Sequence, residues 1–210
     1  MHYQEAEKTE MKRIKQTVKD GIIDVACELF LSRSISETTI KDVAQKAEVG
    51  EATVYRYFNN KQNLVARCAI KLQGKVYNEY FKLTGKTGFD RIKKFYDSYI
   101  EIFKAHPEFY RFIYEFDAFI LTFSSDLDAY SEGLDLFKEE FFAAYGMGVK
   151  DNSVKEINDI ETFYYSTTHA MLELCKKLSV NIRIVKQDEM IKKDEEINVL
   201  ADIILSALKA

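Results

Sequence analysis

An all-α fold is what this chain predicts, on three observations. Apolar residues recur at three- and four-residue spacing through almost every segment, the period of a helix with one buried face. Strand-like alternation is confined to a brief run at Val180–Val185. Helix punctuation falls between the periodic runs: polar caps, paired glycines and a single proline. With 210 residues, 47% hydrophobic and 30% charged, the chain is expected to be a soluble globular protein with one or two cores.

The elements follow in order. Residues 1–11 are polar and form at most a frayed or helical lead, with no apolar core of a signal peptide before Lys15. Ile14, Val18, Ile22, Val25, Ala26, Leu29 and Phe30 make a first helix that ends near Ser32–Ser34. Thr39 and Asp42 have capping-box spacing, and Ile40, Val43, Ala44 and Ala47 give the next helix its buried face. Val49 and Gly50 break that pattern, and Val54 and Phe58 resume it. Asn59 and Asn60 cap a fourth helix that runs through Leu64, Cys68 and Leu72 to about Phe81.

After a linker at Gly85–Gly88, Thr87 and Asp90 cap a helix through Ile92, Tyr96 and Phe103. Pro107 suits the first turn of the following one. A further helix is predicted from Leu127 to Tyr145, stopping at Gly146-Met147-Gly148. Ser153 and Glu156 are expected to cap a long helix to Leu178, and a last helix covers Glu195–Leu208. The expected domains are 12–70 and 71–210.

Residues 39–58 have the form of a helix-turn-helix. Ala44 is small where a second helix must cross, Val49 can bury itself in the turn and Val54 can seal the crossing. The outward residues are then Gly50, Glu51, Ala52, Thr53, Tyr55, Arg56 and Tyr57, with Lys61 beyond. Small Gly50 and Ala52 allow close approach to a major groove, while Thr53 and Arg56 can meet base edges or phosphates. Tyr55, Tyr57, Lys61 and the helix start at Thr39 suit phosphate oxygens. The same pattern also fits an ordinary solvated helix pair with tyrosines at its rim.

The stretch from about residue 17 to 70 resembles the DNA-binding domain of the tetracycline-repressor-like (TetR) family of bacterial transcriptional regulators. The matching residues are Ala26, Leu29 and Phe30, then Thr38-Thr39-Ile40-Lys41-Asp42-Val43-Ala44, and Ala47 with Val49. They continue with Thr53-Val54-Tyr55-Arg56-Tyr57-Phe58, and Lys61 with Leu64. The resemblance implies an N-terminal three-helix helix-turn-helix DNA-binding domain and a C-terminal helical domain for ligand binding and dimerisation. It further implies a homodimer paired through the last two long helices, and a repressor released from its double-stranded operator by a small-molecule inducer. Two positions depart from the family pattern. Glu48 stands where glycine is usual, at a cost of about 1 kcal/mol if that residue is left-handed. Gly50 stands where serine is frequent and is still an acceptable cap. Glu48 and Glu51 also bring negative charge near the phosphate track, so a helical ligand-binding dimer with altered or decayed DNA binding is the alternative.

Charge is divided along the chain. Residues 1–70 carry a net +1 and residues 71–210 a net −5. Attraction to DNA must therefore come from local placement of Lys and Arg rather than from a bulk field. Beyond residue 70 lie 23 of the 28 Phe and Tyr residues, more than one stripe per helix requires. Tyr99, Phe103, Phe116, Phe119, Phe163, Tyr164, His169 and Met171 are candidates to line a cavity for an aromatic or lipophilic ligand, against plain core packing for each.

His169 and Glu173 stand one helical turn apart, too few for a metal site, so neither metal nor cofactor is expected. The chain has no Gly-rich phosphate loop or nucleophile elbow, and an enzyme is not expected. Cys27, Cys68 and Cys175 read as buried small hydrophobes in a reducing compartment. With no apolar run of membrane-spanning length, the expected location is cytoplasmic.

Overall fold

The computed structural model describes residues 2–120, 127–180 and 192–210. Among them it holds nine α-helices: α1 (His2–Ser32), α2 (Ile40–Lys46), α3 (Glu51–Phe58), α4 (Lys61–Tyr80), α5 (Gly88–Ala105), α6 (Pro107–Ile120), α7 (Asp128–Lys150), α8 (Ile160–Ser179) and α9 (Lys193–Leu208). No strand occurs among the described residues, beyond an isolated antiparallel bridge between Val154 and Lys209. The alternating run at Val180–Val185 lies, after Val180, outside them.

Packing divides the chain into two units. One comprises residues up to Lys71 with the end of α6 from Glu115; the other comprises Leu72–Tyr114 and the remainder from α7 onward. The first unit buries Ile22, Ala26, Leu29 and Phe30 of α1 with Val43 and Ala44 of α2, Val54 and Phe58 of α3, and Leu64, Val65 and Cys68 of α4. Local chemistry sets each boundary. Thr39 accepts from the Asp42 amide at 3.1 Å, and Asp42 accepts from the Thr39 amide at 2.8 Å, completing the predicted capping box. Asn60 caps α4 by accepting from the Asn63 amide at 2.8 Å.

Cys27 and Cys68 pack α1 against α4. The Cys27 thiol points at the Cys68 carbonyl and the Cys68 thiol at the Ile23 carbonyl, at 3.9 and 3.8 Å. Burial raises the Cys68 thiol well above its ordinary pKa.

In the second unit α5 packs against α7, α8 and α9. Its core is a chain of tilted and edge-on rings: Phe81 and Phe95 at 5.3 Å between centroids, Phe95 and Phe141 at 5.4 Å, Phe141 and Tyr164 at 5.1 Å. Pro107 begins α6 as predicted.

The expected helix stop at Gly146-Met147-Gly148 is overturned, because α7 continues to Lys150. Gly148 lies against the backbone of Gly88, where a Cβ on either residue would collide with its surroundings. These glycines serve a close helix approach and not a turn. The stop is Asn152, left-handed at φ 59°, with Ser153 N donating to Gly148 O at 3.0 Å. Ser153 does not cap a long helix either. Its hydroxyl accepts from Phe89 N at 3.0 Å, at the start of α5, beside Asp151, which accepts from Gly88 N at 2.8 Å. The cap of α8 is Asp159, which accepts from Thr162 N at 3.0 Å.

Candidate nucleic-acid interface and cavity

The turn between α2 and α3 is a Schellman closure followed by an extended residue. Val49 N donates to Ala44 O at 3.0 Å and Glu48 N to Gln45 O at 3.2 Å. Glu48 has φ 54°, so the side chain that replaces the expected glycine does sit in the left-handed region. Gly50 is extended at φ −74° and caps α3 without a side-chain bond. Val54 is fully buried and Val49 half-buried, so the crossing is sealed as its spacing predicts.

With those residues inward, Gly50, Glu51, Ala52, Tyr55 and Arg56 are exposed together with Thr39, and Thr53 and Tyr57 are half-buried. Arg56 lies 5.4 Å over the Tyr57 ring, which leaves its guanidinium on the surface of α3. The face thus offers one cation, one large phenol at 48% exposure, small residues between them and one carboxylate. Lys61, expected on phosphate, is turned to another use. Its ammonium donates to the Ile35 carbonyl and lies 5.8 Å over the Phe119 ring. Burial lowers its pKa. Ile35 N donates to the Glu115 carboxylate at 2.6 Å, so Lys61 and Glu115 hold one residue of the α1–α2 loop from both sides.

A cavity of about 320 Å³ opens in the second unit. Of the eight residues proposed to line it, Tyr99, Tyr164 and His169 do so. Phe103, Phe163 and Met171 belong to the surrounding core instead, Met171 with no exposure at all. Phe116 and Phe119 pack in the first unit, because α6 passes from one unit to the other between Tyr114 and Glu115. Helical periodicity marks all of these rings as buried without saying on what.

Sequence reasoning missed the wall supplied by α4 and α7: Gln73, Val76, Leu134, Asp135, Phe137 and Lys138. Gln73 carried a signal, being a polar residue between Leu72 and Val76 on the buried face of α4. The remaining wall includes Phe109, Tyr110 and Ile113 of α6. Charge is kept to the rim: Asp135 and His169 are exposed, and Lys138 donates to Glu161 at 2.5 Å and to the Tyr165 hydroxyl at 3.1 Å. Burial pushes the Tyr164 phenol up to about 12, so it stays neutral at physiological pH. Among the described residues no group of three or more His, Cys, Asp or Glu side chains is placed to hold a metal, and no helix is long and apolar enough to cross a membrane.

Comparison with known proteins bears on both units. Residues 22–68 match the model of the bacterial regulatory proteins of the tetR family. The HTH-type transcriptional regulator YvkB of Bacillus subtilis is 48% identical over 44 residues, which are 21% of this chain and 23% of that protein. The HTH-type transcriptional regulator AlkX of Mycobacterium tuberculosis is 28% identical over 89 residues, 42% of this chain and 40% of the relative. The chain therefore aligns with less than half the length of either relative. The fold extends further than the sequence match. The fatty acid degradation regulator FadR of Bacillus halodurans aligns with a TM-score of 0.62 and 15% identity, over 89% of this chain and 93% of that one.

Proposed function

We propose, from the premise that this chain belongs to the tetR family of bacterial regulatory proteins, that it is a cytoplasmic, homodimeric transcriptional repressor. Its α2–α3 pair binds double-stranded operator DNA, and a small aromatic or lipophilic molecule in the cavity releases it. The observation that carries this reading is the outward face of α3. Arg56, Tyr55 and Ala52 are presented together on a helix whose inward side is sealed by Val54 and Phe58. Arg56 is the group for a guanine edge or a phosphate, Thr39 and Tyr55 fix register on phosphate, and Ala52 leaves room at the groove floor.

Pairing through α8 and α9 is supported by apolar surface that the monomer leaves open. Val199 and Ile203, one turn apart on α9, are 58% and 61% exposed. Thr162, Ser166 and Ala170 give α8 an exposed face of small residues on which a partner helix can approach closely. Two-fold pairing places two recognition helices on successive major grooves about 34 Å apart. Release by ligand requires that the cavity fill more favourably at one helix spacing than at the other. Helix α6 suits that coupling, since it supplies Tyr110 and Ile113 to the cavity wall and Glu115 to the Ile35 amide.

The test is fluorescence anisotropy of the purified protein with DNA flanking its own gene and with scrambled DNA at matched salt. A preference for the flanking DNA that disappears in Arg56→Ala supports the reading. Equal affinity for both DNAs in the unaltered protein overturns it in favour of a ligand-binding dimer without an operator.

A further inference from the structure

Helix α1 continues well beyond its packing. Ile22, Ala26 and Phe30 are buried in the first unit, whereas every described side chain from Glu5 to Thr17 is exposed. At 1.5 Å per residue that is about 18 Å of helix with no buried side chain. Its charge is ordered. Residues 8–19 carry five cations and one carboxylate. Lys8, Lys12, Lys15 and Lys19 stand four, three and four residues apart, which aligns them on one face of α1, in the register that Ile22 and Ala26 continue. Glu10 falls on the opposite side, and Asp20 accepts from the Gln16 amide at 2.8 Å. Among the described residues none of the four lysines has an ion-pair partner.

Such a stripe is unfavourable by itself. Like charges one turn apart repel, and a short helix without packing is marginal in water. A partner with closely spaced negative charges turns that repulsion into attraction. The stripe extends over about 16 Å, too long for a single phosphate or carboxylate. It suits a run of backbone phosphates, which duplex DNA carries at about one charge per 1.7 Å of axis. The rest of the unit leaves this supply of cations wanting. Arg56 is the one cation on α3, Lys46 and Lys71 are paired with Glu28 and Asp24, and Lys61 donates to the Ile35 carbonyl.

We infer that the projecting half of α1 is a second DNA contact: Lys8, Lys12, Lys15 and Lys19 lie along the phosphates of duplex DNA and add affinity that does not depend on sequence. The inference rests on the DNA-binding reading above and adds a surface to it. A lipid surface is the poorer match. Between Glu5 and Thr17 the large apolar side chains are Met11 and Ile14, too few to anchor a helix among lipid headgroups.

The test is fluorescence anisotropy of the full-length protein with flanking and scrambled duplexes across a series of salt concentrations. The variant changes Lys8, Lys12, Lys15 and Lys19 together to Gln, which matches Lys in helix propensity. It should weaken binding to both duplexes by the same factor, at least about tenfold at ~0.1 M salt. The slope of log affinity against log salt should fall by about 3 to 4, with the ratio of the two affinities kept within about twofold. Arg at the same four positions should restore affinity and slope. Lys8→Gln with Lys12→Gln alone should give about half the change in slope, and serves if the fourfold variant is unstable. Unchanged affinity and slope overturn the inference, as does weakening confined to the flanking duplex. So does binding of phosphatidylglycerol vesicles that the glutamines abolish while DNA binding is unaltered. A protein that does not distinguish the duplexes, but whose slope still falls in the variant, fails the operator reading alone. Absence of binding to either duplex overturns both.

Discussion

At the α2–α3 turn the amides of Glu48 and Val49 and the cap of α2 all find partners within a few residues, and what is left over faces solvent as Arg56 and Tyr55. In the cavity the arrangement is reversed. The rim charges are neutralised or solvated, while the amide of Gln73, deep in the wall, has nothing to bond. One region is a surface whose turn and cap groups are paired locally and whose outer side chains face water. The other keeps a side-chain amide nitrogen unpaired within a mainly apolar wall.

Substitutions can break this contrast, and the largest effect is expected where backbones touch. Gly88→Ala drives a methyl into the backbone of Gly148, and overpacking of that kind should destabilise the second unit by about 3 kcal/mol. Calorimetry should show its unfolding transition lowered, with the transition of residues 1–71 retained. Next is Arg56→Ala, which should weaken operator binding by about 1–3 kcal/mol and flatten its salt dependence, while the melting temperature stays unchanged.

Thr39→Ala should cost about 1 kcal/mol of stability through loss of the α2 cap. This loss should depend on pH. The Thr39 hydroxyl and then the Thr39 amide hold the Asp42 carboxyl below its ordinary pKa. The stability that Asp42 contributes is therefore present above the unfolded carboxylate range and disappears as pH falls through the folded value. The gap between the melting temperatures of Thr39→Ala and the unaltered protein should accordingly narrow below about pH 4 without closing, because the bond from the Asp42 amide to the Thr39 hydroxyl does not titrate. The smallest effect sharpens the comparison from the other side. Glu48→Gly relieves the left-handed side chain and removes a carboxylate near the phosphate track, so it should stabilise the turn by up to about 1 kcal/mol and raise DNA affinity slightly.

Features decided within a few residues were legible before the structure. The capping pairs Thr39–Asp42 and Thr87–Asp90 and the start of α6 at Pro107 follow from local rules. Features decided by a distant partner were not. Gly148 reads as a helix stop until Gly88 is seen against it, and Ser153 reads as a cap for the wrong helix. The outward face of α3 could be assigned from Val49 and Val54 alone, because a two-helix unit has few ways to pack. The cavity wall draws on α4, α5, α6, α7 and α8, so periodicity could nominate aromatics but could not tell the ring that lines a void from the ring that fills one.

The buried thiols have a practical consequence. Cys27 and Cys68 are sealed between α1 and α4, and Cys175 is sealed separately inside the larger unit. A thiol reagent can reach either set only when the surrounding helices part, so its reaction rate is a stopwatch for breathing. The molecule thus carries one clock in each unit, free of any engineered label. Timing them with and without operator, or with and without a cavity ligand, would show which half each partner quiets.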